Sequence, residues 1–168
     1  MGLVIDACVL RSASTAGKPL PSACRAVLER VKDSSTVVSV CPILLGEWRK
    51  HRSNYSRMWI VAMYSRRLIK SIGNFSGKAA SVDAAISKLN EPDRTVAAKD
   101  AHLLKIALDG LKLVVSSEQC CKRAFSLASS HYSEIAKVAW IDPSGDGDPC
   151  QVAVGAVQPP RDWLLSKV

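Results

Sequence analysis

Four acidic residues of this 168-residue chain stand where chemistry at a sheet edge needs them. Asp6 interrupts the apolar run from Leu3 to Leu10, and Glu47 follows Leu44-Leu45-Gly46. Asp100 precedes the apolar series Leu103, Leu104, Ala107, and Glu118 comes just after Val114-Val115-Ser116-Ser117. In a parallel sheet, ligands bind beyond the carboxyl ends of the strands, so acids following strands are the first candidates for a site. Two carboxylates about 5 Å apart repel by roughly 3 kcal/mol at an effective dielectric near 20, so four in one pocket call for protons or a cation. An all-oxygen donor set without His or Cys selects a hard ion, Mg²⁺ or Mn²⁺, over zinc. Singly, each acid has an ordinary reading: Asp6 as a turn residue, Glu47 on a solvated face, Asp100 and Glu118 as charges favoured at helix starts. Together they are harder to dismiss, because an acid inside an apolar first strand costs stability unless something binds it.

The elements that must position these acids follow from periodicity. Leu3 to Ile5 reads as a buried strand ending near Asp6, with Ala7 to Leu10 continuing its apolar run. Ser14 to Pro21 reads as a loop, and Ser22 caps a first helix carrying Val27, Leu28 and Val31. A second strand, Val37 to Val40, leads into a helix opened by Pro42, where a missing N–H costs nothing. Tyr55 to Ile72 reads as one segment, apolar on one side and basic on the other, and Val82 to Leu89 as a short helix. Lys99 to Leu108 is predicted as a helix opened by Asp100, followed by a third strand from Leu111 to Val115. Glu118 to Ser129 is read as helix and Val138 to Ile141 as a final strand stopped by Asp142-Pro143. Strands alternating with helices select an α/β fold, a three-layer α/β/α sandwich with a mostly parallel sheet. Residues 1–143 form that domain. Residues 144–168 form an extension that packs on it or on a partner, and Asp146-Gly147-Asp148 is a turn, since the other ligands of a calcium loop are missing.

A net charge of +8 favours a polyanionic partner, since clustered Lys and Arg gain affinity by releasing counterions from phosphates. Arg49, Lys50, Arg52, Arg66 and Arg67 are the candidates to grip a nucleic-acid backbone. A hydrophobic fraction of 48% describes a folded chain rather than a disordered one. Six cysteines appear without a recognisable export signal, CxxC spacing or membrane-length apolar run, which places the chain in the cytoplasm with no membrane partner.

Leu3-Val4-Ile5-Asp6-Ala7, Leu44-Leu45-Gly46-Glu47-Trp48, Lys99-Asp100-Ala101-His102 and Val114-Val115-Ser116-Ser117-Glu118 resemble, in order and spacing, the acidic motifs of the PIN-domain family. That family includes VapC-like ribonuclease toxins of the toxin-antitoxin type. The resemblance runs from Leu3 to about Pro143 and takes in Trp140-Ile141-Asp142-Pro143. It implies a PIN-like fold in which Asp6, Glu47, Asp100 and Glu118 bind one or two Mg²⁺ or Mn²⁺ ions, with Ser116 holding the last loop or an outer water. Three positions depart from the family pattern: Glu118 in place of an aspartate, Cys8 in place of Asn or Ser, and Cys41 near a usual Ser or Thr cap.

The function implied is a metal-dependent endoribonuclease, a hydrolase cutting RNA by in-line attack of water that Asp100 or Glu118 positions. A cognate antitoxin and a homodimer are the protein partners such a toxin would have. A PIN-like scaffold that binds RNA or protein without cutting is the second reading, kept open by Glu118 and Cys8. A phosphotransferase with Asp6 as nucleophile is third, and wants an acid where Cys8 stands. His51, four residues after Glu47, and His102, just past Asp100, are within reach of a phosphate or are ordinary core or surface histidines. Tyr55, Trp59 and Tyr64 have the helical spacing of core or dimer contacts rather than base-stacking residues.

Overall fold

The computed structural model describes residues 2–145 and 147–166 of a mixed α/β chain. Its strands are short and parallel: β1 (Val4–Ile5), β2 (Val38–Val40), β3 (Ile69–Ser71), β4 (Leu113–Val115) and β5 (Ala139–Ile141). Strands β2 and β3 pair, as do β1, β4 and β5 in the order β1-β4-β5. A parallel bridge from Leu3 to Val38 joins the two groups, with the Leu3 N–H donating to Val37 O at 3.0 Å and the Ser39 N–H donating to Leu3 O at 2.8 Å. The spatial order is therefore β3-β2-β1-β4-β5. Gly2 makes that junction possible, because a Cβ there would lie 2.6 Å from Val37 O.

The helices are α1 (Ala7–Ser12), α2 (Pro19–Asp33), α3 (Pro42–His51), α4 (Asn54–Ser65), α5 (Lys78–Ser87), α6 (Asp93–Leu108), α7 (Gln119–Ala128) and α8 (Pro149–Ala153). Helix α6 packs against β1, β4, α5 and α7, while α2 packs against α1, α4 and α8. This is compatible with an α/β sandwich. The sheet interior supplies the core: Val4, Ile5, Val38, Val40, Val114, Val115 and Ile141 are all buried.

Several expected boundaries move. Ala7 to Leu10 is the start of α1, not a continuation of the strand, because Asp6 takes the extended N-cap conformation and its side chain accepts the Cys8 N–H. The first long helix begins at Pro19 rather than Ser22, with proline in its first turn. Helix α6 begins at Asp93, so Asp100 lies about two turns inside it instead of opening it. The stretch from Tyr55 to Ile72, expected as one two-sided segment, divides into α4 and β3. Arg67 adopts φ 58°, the Leu68 N–H donates to Met63 O at 2.9 Å, and the Arg67 N–H donates to Tyr64 O at 2.9 Å. That is a Schellman ending with arginine at the position usually held by glycine, so the sequence carried no glycine to mark it.

The extension packs on the domain. Leu164 bridges antiparallel to Ala139, the Leu165 N–H donates to Val138 O at 2.9 Å, and Val152, Ala153, Trp163 and Leu165 are buried. The extension thus lies along the β5 side of the sheet, which would otherwise present unpaired backbone. Asp148 caps α8 by accepting the Gln151 N–H at 3.0 Å, while its expected turn partner Asp146 lies outside the described residues. Removing a large buried aromatic leaves a cavity, so Trp163→Ala is expected to lower the unfolding free energy by about 3 kcal/mol in urea titrations. An unchanged midpoint would mean the extension does not share the core.

Candidate functional site

The five-strand order changes direction at β1: β2 and β3 lie to one side, β4 and β5 to the other. Chain segments leaving adjacent parallel strands at such a point diverge and open a crevice beyond the strand ends. A cavity of about 310 Å³ lies there, and Asp6, Glu47, Asp100 and Glu118 all line it. The four acids come from four segments. Asp6 follows β1 at the cap of α1, Glu47 lies in α3, Asp100 in α6, and Glu118 follows β4 at the cap position of α7. On α6 the face is set by Val96, Lys99 and Asp100, spaced i, i+3, i+4; on α3 by Glu47 and His51, spaced i, i+4.

Asp6 is held most firmly. The Ser116 hydroxyl donates to its Oδ2 at 2.7 Å, the Cys8 thiol donates to Oδ2 at 3.1 Å, and the Cys8 N–H reaches Oδ1 at 3.4 Å. Ser116 also accepts the Glu118 N–H at 3.1 Å, so one buried hydroxyl ties the loop after β4 to the carboxylate after β1. Cys8 therefore orients Asp6 through its thiol, a weaker donor than a hydroxyl or amide. Burial, and then the charge of Asp6, pushes that thiol up to about 12, which keeps it protonated as a donor. Cys41 caps α3 with its sulfur, which accepts the Leu44 N–H at 3.5 Å.

Asp100 carries the clearest sign of crowding. Its carboxyl is raised above the usual aspartate range, first by burial and then, against the pull of Lys99 and His102, by the charges of Asp6 and Glu47. Cys121, also lining the cavity, is raised by burial and by Asp100, Asp6 and Glu118. Glu118 is half-exposed and lies 3.6 Å from the Arg11 guanidinium. His102 is buried behind the site, with Nε2 3.2 Å from Glu47 Oε2 but not aligned to bond it, and so without a hydrogen-bond partner. It is not part of the cavity lining, whereas His51 is.

The basic residues sort differently from the sequence reading. Arg49, Lys50 and Arg52 are exposed at the end of α3 outside the cavity lining. Arg66 and Arg67 precede β3, at the edge where the parallel strands begin and away from the acids, and Arg66 donates to Lys32 O at 3.1 Å. The cavity's own cations are Arg11 and Lys99. Because Ala7 to Leu10 is helix capped by Asp6 and not strand, Arg11 is carried into the site, a placement that the strand pattern does not predict. Trp59 is core, donating to Leu28 O at 2.7 Å and meeting Trp48 edge-on at 6.3 Å. Tyr55 bonds Glu29, and Tyr64 is exposed on α4 near Met58 and Val61.

Among the described residues, no three acid, histidine or cysteine side chains are already gathered as a preformed metal cage. The donor set nonetheless suits a hard divalent cation: four carboxylates line one cavity, one of them raised toward its neutral form by burial and then by the charges of Asp6 and Glu47, and a buried nitrogen is left unpaired beside Glu47. Among known proteins, no family model, no curated protein and no solved structure matches the chain. No helix among the described residues is long and apolar enough to cross a membrane.

Because the raised carboxyl of Asp100 favours the protonated form, its ionised form opposes folding at neutral pH, and that penalty fades as acid protonates it. Asp100→Asn should therefore raise the melting temperature at neutral pH, with the gain shrinking as the pH falls through the acid range. A gain that is absent, or that grows on acidification, would contradict the crowding.

Proposed function

We propose that this chain is a metal-dependent endoribonuclease of the PIN-domain kind, hydrolysing RNA phosphodiester bonds. The observation that carries the reading is that Asp6, Glu47, Asp100 and Glu118, from four separate segments, line one cavity at the carboxyl edge of a parallel sheet. The PIN-like topology is part of the same proposal, supported by parallel strands alternating with helices and by the order of the acidic motifs. Mg²⁺ or Mn²⁺ bound among these carboxylates would supply an activated water and charge neutralisation at the leaving oxygen. Asp6, Glu47, Asp100 and Glu118 are the residues to hold it.

The remaining roles fall to the chain's own groups. Arg11, Lys99 and His51 line the cavity and bind the scissile phosphate, Arg11 by leaving Glu118. Asp100 or Glu118 positions the attacking water. Ser116 keeps Asp6 and the loop bearing Glu118 in register. Arg49, Lys50 and Arg52, exposed at the end of α3, extend the basic surface along which RNA approaches, and the net charge of +8 steers it. The resemblance to toxins of the toxin-antitoxin type extends the proposal to a cytoplasmic enzyme held by an antitoxin. A scaffold that binds RNA without cutting is the second reading, favoured by the half-exposed Glu118 already engaged by Arg11.

Labelled single-stranded RNA incubated with the protein separates the two. Cleavage is expected in Mn²⁺ and not in chelator. Asp6→Asn, which keeps a good helix cap, is expected to lower the rate by about a thousandfold, equivalent to several kcal/mol of lost transition-state stabilisation. RNA binding without metal-dependent cleavage in the wild type would favour the scaffold.

A further inference from the structure

We infer that His102 is a positioning residue for Glu47: its buried imidazole stands behind that carboxylate and fixes its orientation toward the cavity. The inference rests on reading the cavity as a divalent-cation site, and it concerns a residue outside the four acids.

His102 is 4% exposed on α6, flanked by the buried Ala101, Leu103 and Leu104. An imidazole among such neighbours costs free energy unless its nitrogens are bonded, so an apolar residue would serve packing alone better. It follows Asp100 by two residues, about 200° around the helix, and so does not share that carboxylate's direction. Its Nε2 is instead 3.2 Å from Glu47 Oε2, close enough for a hydrogen bond but out of line for one, and unpartnered.

Two of the other acids already have close partners. Asp6 takes Ser116 and Cys8, Glu118 takes Arg11, and Asp100 lies beside Cys121 in the cavity lining. Among the described residues, the basic side chain within 4 Å of the Glu47 carboxylate is His102. The backbone around Glu47 is fixed, because Trp48 is buried and its Nε1 donates to Ile5 O at 3.0 Å, locking α3 to the end of β1. What remains free is rotation of the Glu47 side chain, which is 28% exposed. Turning one oxygen onto the imidazole N–H completes the missing bond and leaves the other oxygen for the cavity. Hydrogen-bonded carboxylates of this sort owe much of their metal affinity to the partner behind them.

The test is Mn²⁺ binding, read from the electron-paramagnetic-resonance signal of free Mn²⁺, for the wild type, His102→Leu and His102→Gln. Leucine fills the space without a donor, and glutamine returns an N–H near the position of Nε2. His102→Leu is expected to weaken Mn²⁺ binding by about 10–100-fold with no loss of melting temperature, and His102→Gln to recover most of it. In a Glu47→Gln background, His102→Leu should have no further effect on Mn²⁺ binding. Wild-type affinity in His102→Leu, or equal weakening in both His102 variants, would overturn the inference while leaving the cation site standing. A wild type that does not bind Mn²⁺ at all would overturn both.

Discussion

Negative charges brought to one edge of a sheet repel each other, and much of this structure near the cavity is arranged around that repulsion. A pair of carboxylates a few ångströms apart costs on the order of 3 kcal/mol even at a generous effective dielectric, and here four share a cavity. The chain meets the cost locally and differently for each acid. Asp6 is stabilised by donated hydrogen bonds, Glu118 by a half-exposed guanidinium, and Asp100 by a shift toward its neutral form. Glu47 keeps an imidazole close by without a formed bond. A molecule optimised for stability alone would place apolar or single charged groups here, so the arrangement is one that a bound cation or a positively charged group would relieve.

The sheet supplies the geometry that makes this gathering possible. Because β1 lies between β2 and β4, the segments after β1 and β4 leave from neighbouring strand ends, and Ser116 spans the gap between them. The helices α3 and α6 then bring one acid each from segments distant in sequence, and they touch each other beneath the site. Trp48 is the mechanical link on that side: its ring is core, packed edge-on against Trp59, while its N–H holds the carbonyl of Ile5, the residue before Asp6. Cysteines stand at two orienting positions, Cys8 and Cys41, and make longer, softer contacts there than a hydroxyl would.

At the far side of the sheet the extension is a structural part of the domain. Its antiparallel bridge to β5 and the burial of Trp163 and Leu165 add a layer of core that the strand-helix alternation before it does not predict. The opposite border is different in kind. Strand β3 is short, carries the exposed Lys70 and is preceded by two arginines, features that discourage pairing with another sheet.

What the sequence determined by itself was local or strictly periodic. The α/β alternation, the strand Val38–Val40, the proline that opens α3 and the positions of Asp6, Glu47 and Glu118 relative to strands and helices follow from side-chain spacing and capping chemistry, whereas Asp100 lies about two turns inside α6 rather than at its start. The character of Ala7 to Leu10 did not, since apolar residues of that length suit either strand or helix, and only the extended backbone of Asp6 with its side chain on the Cys8 N–H decides it. Nor did the split of the Tyr55 to Ile72 segment, because its turn uses an arginine at positive φ where glycine would have announced it. Tertiary structure alone decided which charges belong together. Arg11 and Lys99 enter the cavity while Arg66 and Arg67 go to the far edge, and His102 turns from Asp100 toward Glu47. The physical reason is that charge and type are properties of a residue, whereas proximity is a property of strand order, and strand order is set by packing across the whole chain.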